Sequence, residues 1–317
     1  MLKYLFMGTP PLAAHILEKL CTSLYPPVAV VTQIAKAQGR GQKVVATAVE
    51  QCAQQRGLKV IATENVNEEG TVSLLKSLEP DLILVAAFGQ ILKNDILTIP
   101  KLFCLNVHAS LLPKYRGAAP FQRAILDGEK ETGITIQKMA RKLDTGDILL
   151  QKRLTIAPQE TSQTLLDRLS HLGGDALVEA MQLVQSGHYQ FVRQNEAAAT
   201  YAAKITKEEA AIQWDLPAQT IENQIRALQP WPVAETILGK DRLKVFKAVV
   251  VSGNAGKAPG SITTDSRTYL IVQCGDNMAL SLTEIQLENR KKLDIKNFLQ
   301  AYRGSFPHTE MGPSAVT

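Results

Sequence analysis

Asn106 and His108 stand two residues apart at the end of an apolar run, LFCLNVH, and the chain continues as ASLLPKYRGAAP. In a strand, side chains at i and i+2 point to one side. An amide that donates without changing charge and an imidazole that gives or takes a proton therefore leave one strand edge together. In open α/β sheets the carboxyl edge is where ligands bind. Pro113 restricts Leu112 and stiffens the turn, and Arg116-Gly117 loosens the chain before a helix begins near Pro120. A lone histidine is usually a hydrogen-bonded structural residue. An Asn-His pair at this edge, followed by an ordered loop, reads as a site.

A second candidate is KLDTGDIL, where Asp144 and Asp147 both lie in a loop before a strand. Either can cap or end a turn. The string D-T-G also marks aspartic proteases, but those need two copies or a dimer, a second copy is absent, and the surrounding pattern is α/β. Sequence mechanics alone do not choose between the two carboxylates. In FMGTPPLAAHIL a single glycine, Gly8, separates a first strand from a first helix. A dinucleotide fingerprint needs G-x-G-x-x-G, so a tight turn beside a site is the better reading.

Two stretches are basic. Between Glu18 and Glu50 no acidic residue occurs, while Lys19, Lys36, Arg40 and Lys43 fall inside, with Gly39 and Gly41 flanking Arg40. Such a loop is either a contact to a phosphate backbone or an ordinary solvated loop. GKDRLKVFKA carries Lys240, Arg242 and Lys244 at spacing two, which on a strand puts all three on one face. ENRKKLD adds Arg290, Lys291 and Lys292. A charged solvent face is the competing reading here. Trp231, between two prolines in LQPWPVAETI, is expected to be a packing anchor.

The elements that position these residues follow from the apolar pattern. A length of 317 residues suggests two domains, at roughly 150 residues each. In the first half LKYLFM, PPVAVVTQ, KVIAT, DLILVAAF, LFCLNVH, GITIQKM and DILLQKRL read as strands. PLAAHILEKL, VSLLKSL and APFQRAILDG read as helices. DLILVAAF is apolar throughout, as a strand buried on both faces is. The alternation predicts a doubly wound, mostly parallel, Rossmann-like α/β sheet. SQTLLDRLSHLGGDALVEAMQLVQSG is a helix or helix pair, with Gly173-Gly174 marking a break or a close contact. A polar texture then predicts a linker over 188–203, between domains 1–187 and 204–317. The latter reads as several short strands with Gly/Pro turns, a small OB-like β-barrel, flanked by helices at AQTIENQIRAL and IKNFLQAYR. The tail after Phe306 is expected to fray.

Composition narrows the setting. With 45% hydrophobic residues the chain can build a core, and a net charge of +5 permits a polyanionic partner without demanding one. Cys21, Cys52, Cys104 and Cys274 are far apart, and no Cys/His cluster has metal-ligand spacing, so free thiols in a reducing compartment and no metal are expected. The N-terminus lacks signal or transit character and no apolar run approaches the ~20 residues of a membrane span. The expected location is the cytoplasm.

In order along nearly the whole chain, FMGTP, GRGQK, AAFGQIL, NVHASLLPKYRGAAP, ETGITIQKM, LDTGDIL, YAAKITKEEAAIQWD, IRALQPWP and PGSI resemble the methionyl-tRNA formyltransferase family. NVHASLLP with LDTGD is specific for folate-dependent formyltransferases; GRGQK and YAAKITKEEA narrow the resemblance to the tRNA enzymes. The resemblance implies transfer of a formyl group from 10-formyltetrahydrofolate, a co-substrate and not a tightly bound cofactor, to methionyl initiator tRNA. It implies a catalytic trio of Asn106, His108 and Asp144, and a folate-contacting loop of Ser110, Leu111, Leu112 and Pro113. It also implies an acceptor-stem contact around Lys36, Arg40 and Lys43 and a tRNA-binding second domain bearing Lys240, Arg242 and Lys244. A monomer is expected. In that chemistry Asn106 and His108 hold the oxyanion, His108 passes a proton to the leaving nitrogen, and Asp144 orients His108 and draws the proton from the amine. Two other readings stay open: a formyl-folate enzyme acting on a small amine, and a non-catalytic RNA-binding protein.

Overall fold

The computed structural model describes residues 2–38, 43–302 and 311, with the backbone alone for 36–38, 43 and 44. Arg40 of the basic loop lies outside the described residues, as does the chain after Phe306 except Met311. The chain separates into two compact units: residues 1–120, 131–155 and 166–202, and residues 121–130, 156–165 and 203–317. Residues 188–202, whose texture reads as a linker, group with the first unit.

Up to residue 202 the elements are β1 (Tyr4–Gly8), α1 (Pro11–Ser23), β2 (Ala29–Gln33), β3 (Lys36–Gln38), β4 (Lys43–Val45), α2 (Ala48–Gln55), β5 (Val60–Thr63), α3 (Glu69–Ser77), β6 (Leu82–Ala86), α4 (Asn94–Leu97), β7 (Phe103–His108), β8 (Arg116–Gly117), α5 (Pro120–Leu126), β9 (Glu131–Lys138), β10 (Ile148–Thr155), α6 (Ser162–Ser186) and β11 (Tyr201–Ala202). Seven strands form one sheet in the order β10-β9-β7-β6-β1-β2-β5. Contacts among β5, β2, β1, β6 and β7 are parallel. β9 and β10 join antiparallel beyond β7. β7 therefore sits where parallel order ends, with the antiparallel β9 as its outer neighbour in the sheet.

The apolar runs form the strands because both faces are covered. Every residue of β1 and of β6 is buried. Fully burying one such Leu or Ile stabilises by about 1.5–3 kcal/mol. On α1, Leu12, Ala13, Ile16, Leu17 and Leu20 form the buried stripe, and Pro11 opens the helix where a missing N–H costs nothing. α2 starts on Thr47, whose side chain accepts from the Glu50 N–H.

Of the two possibilities at Gly173-Gly174, the structure holds the close contact. α6 is one helix of 25 residues. A Cβ on Gly173 would lie 3.2 Å from Ile16 Cδ1 and from Val107 Cγ1, and one on Gly174 would lie 2.9 Å from Lys19 Cβ. The glycines let α6 press onto α1 and the back of β7. Gly173→Leu is expected to destabilise by about 1–3 kcal/mol through overpacking. Urea unfolding checks it; an unchanged midpoint would contradict the close approach.

The second unit holds α7 (Ala218–Ala227), β12 (Glu235–Leu238), β13 (Asp241–Ser252), β14 (Ile262–Thr264), β15 (Leu270–Gln273), β16 (Met278–Leu287), β17 (Leu293–Asp294) and α8 (Ile295–Ala301). Its antiparallel sheet runs β12-β13-β16-β15-β14, with β17 on β16, and forms the small half-barrel. Bulges around Lys247 interrupt the long β13–β16 ladder, and bulges bend and twist such strands. Ile221 and Ile225 of α7 and Phe298 and Leu299 of α8 close its core. Trp214 is the buried anchor, its Nε1 donating to Thr236 Oγ1 at 3.0 Å. Trp231, expected to pack, is instead 51% exposed, on a loop where the prolines at 230 and 232 follow cis bonds. No helix among the described residues is long and apolar enough to cross a membrane.

Candidate active site

The site grows from the carboxyl end of β7. Asn106 pairs in register with Gln137 of β9, and His108 with Thr135, so four polar side chains share one face of two neighbouring strands. His108 is buried, and its Nε2 lies 2.9 Å from the Tyr115 carbonyl oxygen. A carbonyl only accepts, so Nε2 carries the proton and Nδ1 is the nitrogen left for chemistry. Nδ1 is 3.6 Å from Asp144 Oδ1. The sequence left Asp144 and Asp147 undecided, and the structure separates them. Asp144 aims its carboxyl group at the imidazole, whereas Asp147 uses its carbonyl to accept the Lys138 N–H.

Asp144 reaches this place at φ +54°, the left-handed region that non-glycine residues rarely adopt. Its Oδ2 accepts from the Gly117 N–H and its Oδ1 from Gln137 Nε2, both at 2.9 Å. The turn also needs Gly146, where a Cβ would lie 1.6 Å from the Lys138 carbonyl oxygen. Asn106 is half-buried. Among the described residues no protein group bonds its amide, which leaves it available to a ligand.

Thr135 fixes the loop after β7. It is fully buried, donates to the Ser110 carbonyl at 2.6 Å and accepts from the Leu112 N–H at 3.0 Å. Gln151 Nε2 adds bonds to the Leu112 carbonyl and Thr135 Oγ1. Ser110 donates its hydroxyl to the Lys114 carbonyl, and Leu112 is buried. Of the four loop residues expected to touch folate, only Leu111 and Pro113 keep partly exposed surface.

Beside Asp144 opens a cavity of about 210 Å³, lined by the apolar Ile91, Leu92, Met139 and Leu143 and by the polar Gln90, Gln137, Arg141 and Asp144. Cys104, two residues before Asn106, is not a nucleophile candidate. Burial pushes its thiol up to about 12, so almost no thiolate exists near neutral pH. In the second unit a larger cavity of about 920 Å³ is lined by Lys240, Arg242, Arg290 and Lys291 among others. Lys240 falls in the turn before β13, not on the strand, so only Arg242 and Lys244 share its face. Arg242 lies 3.7 Å from Glu235. Lys36 and Lys43 sit on the β3–β4 hairpin.

The profile of the Formyl transferase family matches residues 2–181, and that of the Formyl transferase C-terminal domain matches residues 204–303. A methionyl-tRNA formyltransferase of Caldanaerobacter subterraneus subsp. tengcongensis is 46% identical over 94% of this chain and 96% of its own. One from Staphylococcus epidermidis is 40% identical over 96% and 98%. The chain belongs to the methionyl-tRNA formyltransferase family. The crystal structure of an N-formyltransferase from Helicobacter canadensis, solved with folinic acid and dTDP-3-aminofucose, shares the fold. Its TM-score is 0.68 at 22% identity, covering 89% of this chain and 99% of that one.

Thr135, Gln137, Gln151 and Gln194 do not stand out as site residues in the sequence, and Arg116 stands out only as part of a loose loop. A signal existed for the first two. Thr135 and Gln137 interrupt an apolar strand at spacing two, matching Asn106 and His108 across the sheet. Arg116 and Gln194 gave none, because each looks like a loop residue until the fold buries both. Gly146→Ala is expected to push the Asp144 turn off the Lys138 carbonyl and lower formylation by about 100-fold, a cost that a 1 Å misplacement can reach. Steady-state kinetics check this; an unaltered kcat would contradict it.

Proposed function

We propose that this chain transfers the formyl group of 10-formyltetrahydrofolate to the α-amino group of methionyl initiator tRNA, for translation initiation. The observation that carries the reading is the 3.6 Å approach of His108 Nδ1 to Asp144, next to an Asn106 amide that no described protein group bonds. A cavity of about 210 Å³ is smaller than the roughly 300–1,000 Å³ of whole-ligand sites. Its size and its mix of apolar and polar walls fit the flat, heteroatom-bearing ring of the co-substrate, leaving the formyl group toward the trio.

The amine of a methionyl ester starts near the α-amino value of roughly 7.7–8.0, lowered further by the ester, so much of it is neutral at pH 7. Its nitrogen attacks the formyl carbon, and the carbonyl oxygen takes the negative charge. The Asn106 amide donates to that oxygen. His108 Nδ1 accepts the proton released by the attacking nitrogen, and the imidazolium is held by the Asp144 carboxylate. As the carbon–nitrogen bond to folate breaks, Nδ1 returns the proton to the leaving nitrogen. The products are the formylated amine and tetrahydrofolate. In this version His108 draws the proton, the role the sequence reading gave to Asp144, because both Asp144 oxygens already accept protein N–H groups.

The tRNA is held by phosphate contacts: Lys36, Arg40 and Lys43 at the acceptor stem, and Lys240, Arg242 and Lys244 on the second unit. Removing Lys240 and Lys244 together is expected to flatten log K against log salt by about 1.5, since each phosphate contact contributes about 0.7–0.9. Filter binding at several salt concentrations reads the slope, and an unchanged slope removes both residues from the interface. The protein acts as a monomer in the cytoplasm, a setting supported by four free cysteines. A competition assay tests the acceptor. Offered formyl-folate with methionyl initiator tRNA, free methionine and an amino-sugar nucleotide, the enzyme is expected to formylate the tRNA by a wide margin. Preference for either small amine would refute the reading.

A further inference from the structure

His108 and Asp144 come from elements far apart in sequence, and one short segment touches the supports of both. Gln194 is buried and donates through Nε2 to the Asp144 carbonyl at 2.9 Å and the Gly146 carbonyl at 2.7 Å. Its Oε1 accepts from Arg116 Nη2 at 2.8 Å and Nε at 3.1 Å. Arg116 is 1% exposed, and two further donors form a fork on Glu196, at 2.9 and 2.8 Å, while Tyr201 also bonds its side chain. Five residues further on, the backbone of β11 pairs with β8, and Thr200 Oγ1 accepts the Tyr115 N–H at 2.8 Å. The carbonyl of that same Tyr115 accepts the hydrogen bond from His108 Nε2. Residues 194–202 thus hold the histidine's partner at one end and the left-handed Asp144 turn at the other.

We propose that Gln194, anchored by the buried guanidinium of Arg116, is a positioning residue for formyl transfer: it sets the separation of His108 from Asp144. The chemistry of the side chain fits this task. An amide offers two donors and one acceptor in a fixed plane, and here the donors meet two carbonyls of a strained turn while the acceptor meets a cation. A bare carboxylate keeps the Arg116 pair but faces the two carbonyls with no proton to give. An aliphatic side chain leaves Arg116 and both carbonyls unpaired. The inference rests on the formyltransferase reading above.

Gln194→Glu tests it, because it removes both donors to the turn while keeping an acceptor for Arg116, and adds one negative charge beside that cation. The expected result is a kcat lowered about 10–100-fold, the scale of a misplacement near 1 Å, with KM for formyl-folate and for methionyl-tRNA within about two-fold. Residues that act as a unit are not additive. In an Asp144→Asn background, read by single turnover, Gln194→Glu is therefore expected to lower the rate by less than about three-fold. Equal losses in both backgrounds, an effect on KM alone, or no effect would overturn the proposal. Should Gln194→Glu fail to fold, Arg116→Lys takes its place. It keeps the charge, loses the fork on Gln194 and Glu196, and is held to the same outcomes. Histidine nitrogen resonances recorded without substrate separate this proposal from the functional reading. The His108 signals shift in Gln194→Glu even if the wild-type chain formylates nothing. Unmoved His108 signals in a folded Gln194→Glu protein overturn the positioning role whatever the activity.

Discussion

Asp144→Asn is expected to lower single-turnover formyl transfer by about 10²–10⁴-fold, the range for loss of a positioned acid–base system. The substitution keeps the side-chain shape and removes the charge that holds the imidazolium. It does more than that. The Gly117 N–H and Gln137 Nε2 both donate to the carboxylate, and an amide has one oxygen for two donors. Its NH₂ group also turns toward His108 Nδ1 and occupies the lone pair that takes the amine proton. The buried mismatch costs about 1–3 kcal/mol of stability, so the protein stays folded and the rate loss is read directly. Rapid chemical quench with saturating formyl-folate measures it. A rate within three-fold of wild type would mean that Asp144 acts outside the reaction.

Asn106→Ala is expected to cost about 100–1,000-fold in the same assay, as for removal of one oxyanion donor, with stability changed by less than about 0.5 kcal/mol. The contrast between the two readouts is the point. Asn106 is half-buried and bonds no described protein group through its amide, so truncating it orphans nothing in the free protein. A structural asparagine would behave in the opposite way, losing stability and keeping rate. Asn106→Asp sharpens the case: it preserves volume but sets a negative charge against the developing oxyanion, and is expected to be at least as slow as the alanine variant. Formyl-folate binding, followed by fluorescence, is expected to hold within about two-fold for both.

The legible parts of this molecule were those written locally. Fully apolar runs such as LILVA of β6, bounded by turn residues and too short for a core helix, read as strands covered on both faces. The two-residue spacing of Asn106 and His108 fixes their common side as soon as β7 is a strand. Asp144 was not legible from mechanics, because its meeting with His108 depends on an antiparallel β7–β9 pairing and a left-handed turn, neither of which any short string encodes. The polar stretch after Gly187 looked like a linker because its function is carried by contacts with distant partners. Gln194 and Glu196 satisfy a buried arginine 78 and 80 residues earlier. Trp231 misled in the other direction, since a large aromatic between prolines reads as an anchor while the anchor of that unit is Trp214. Lys240 missed its strand by one residue, enough to take it off the face shared by Arg242 and Lys244.

The most direct measurement of the central claim is one set of single-turnover reactions with 10-formyltetrahydrofolate and methionyl initiator tRNA, run on the wild-type chain beside Asn106→Ala, His108→Ala and Asp144→Asn. The account predicts complete conversion to formylmethionyl-tRNA by the wild type and a rate at least 100-fold lower in each variant, with tRNA affinity unchanged. Failure of the wild type to transfer the formyl group, or near-normal rates in all three variants, would contradict it.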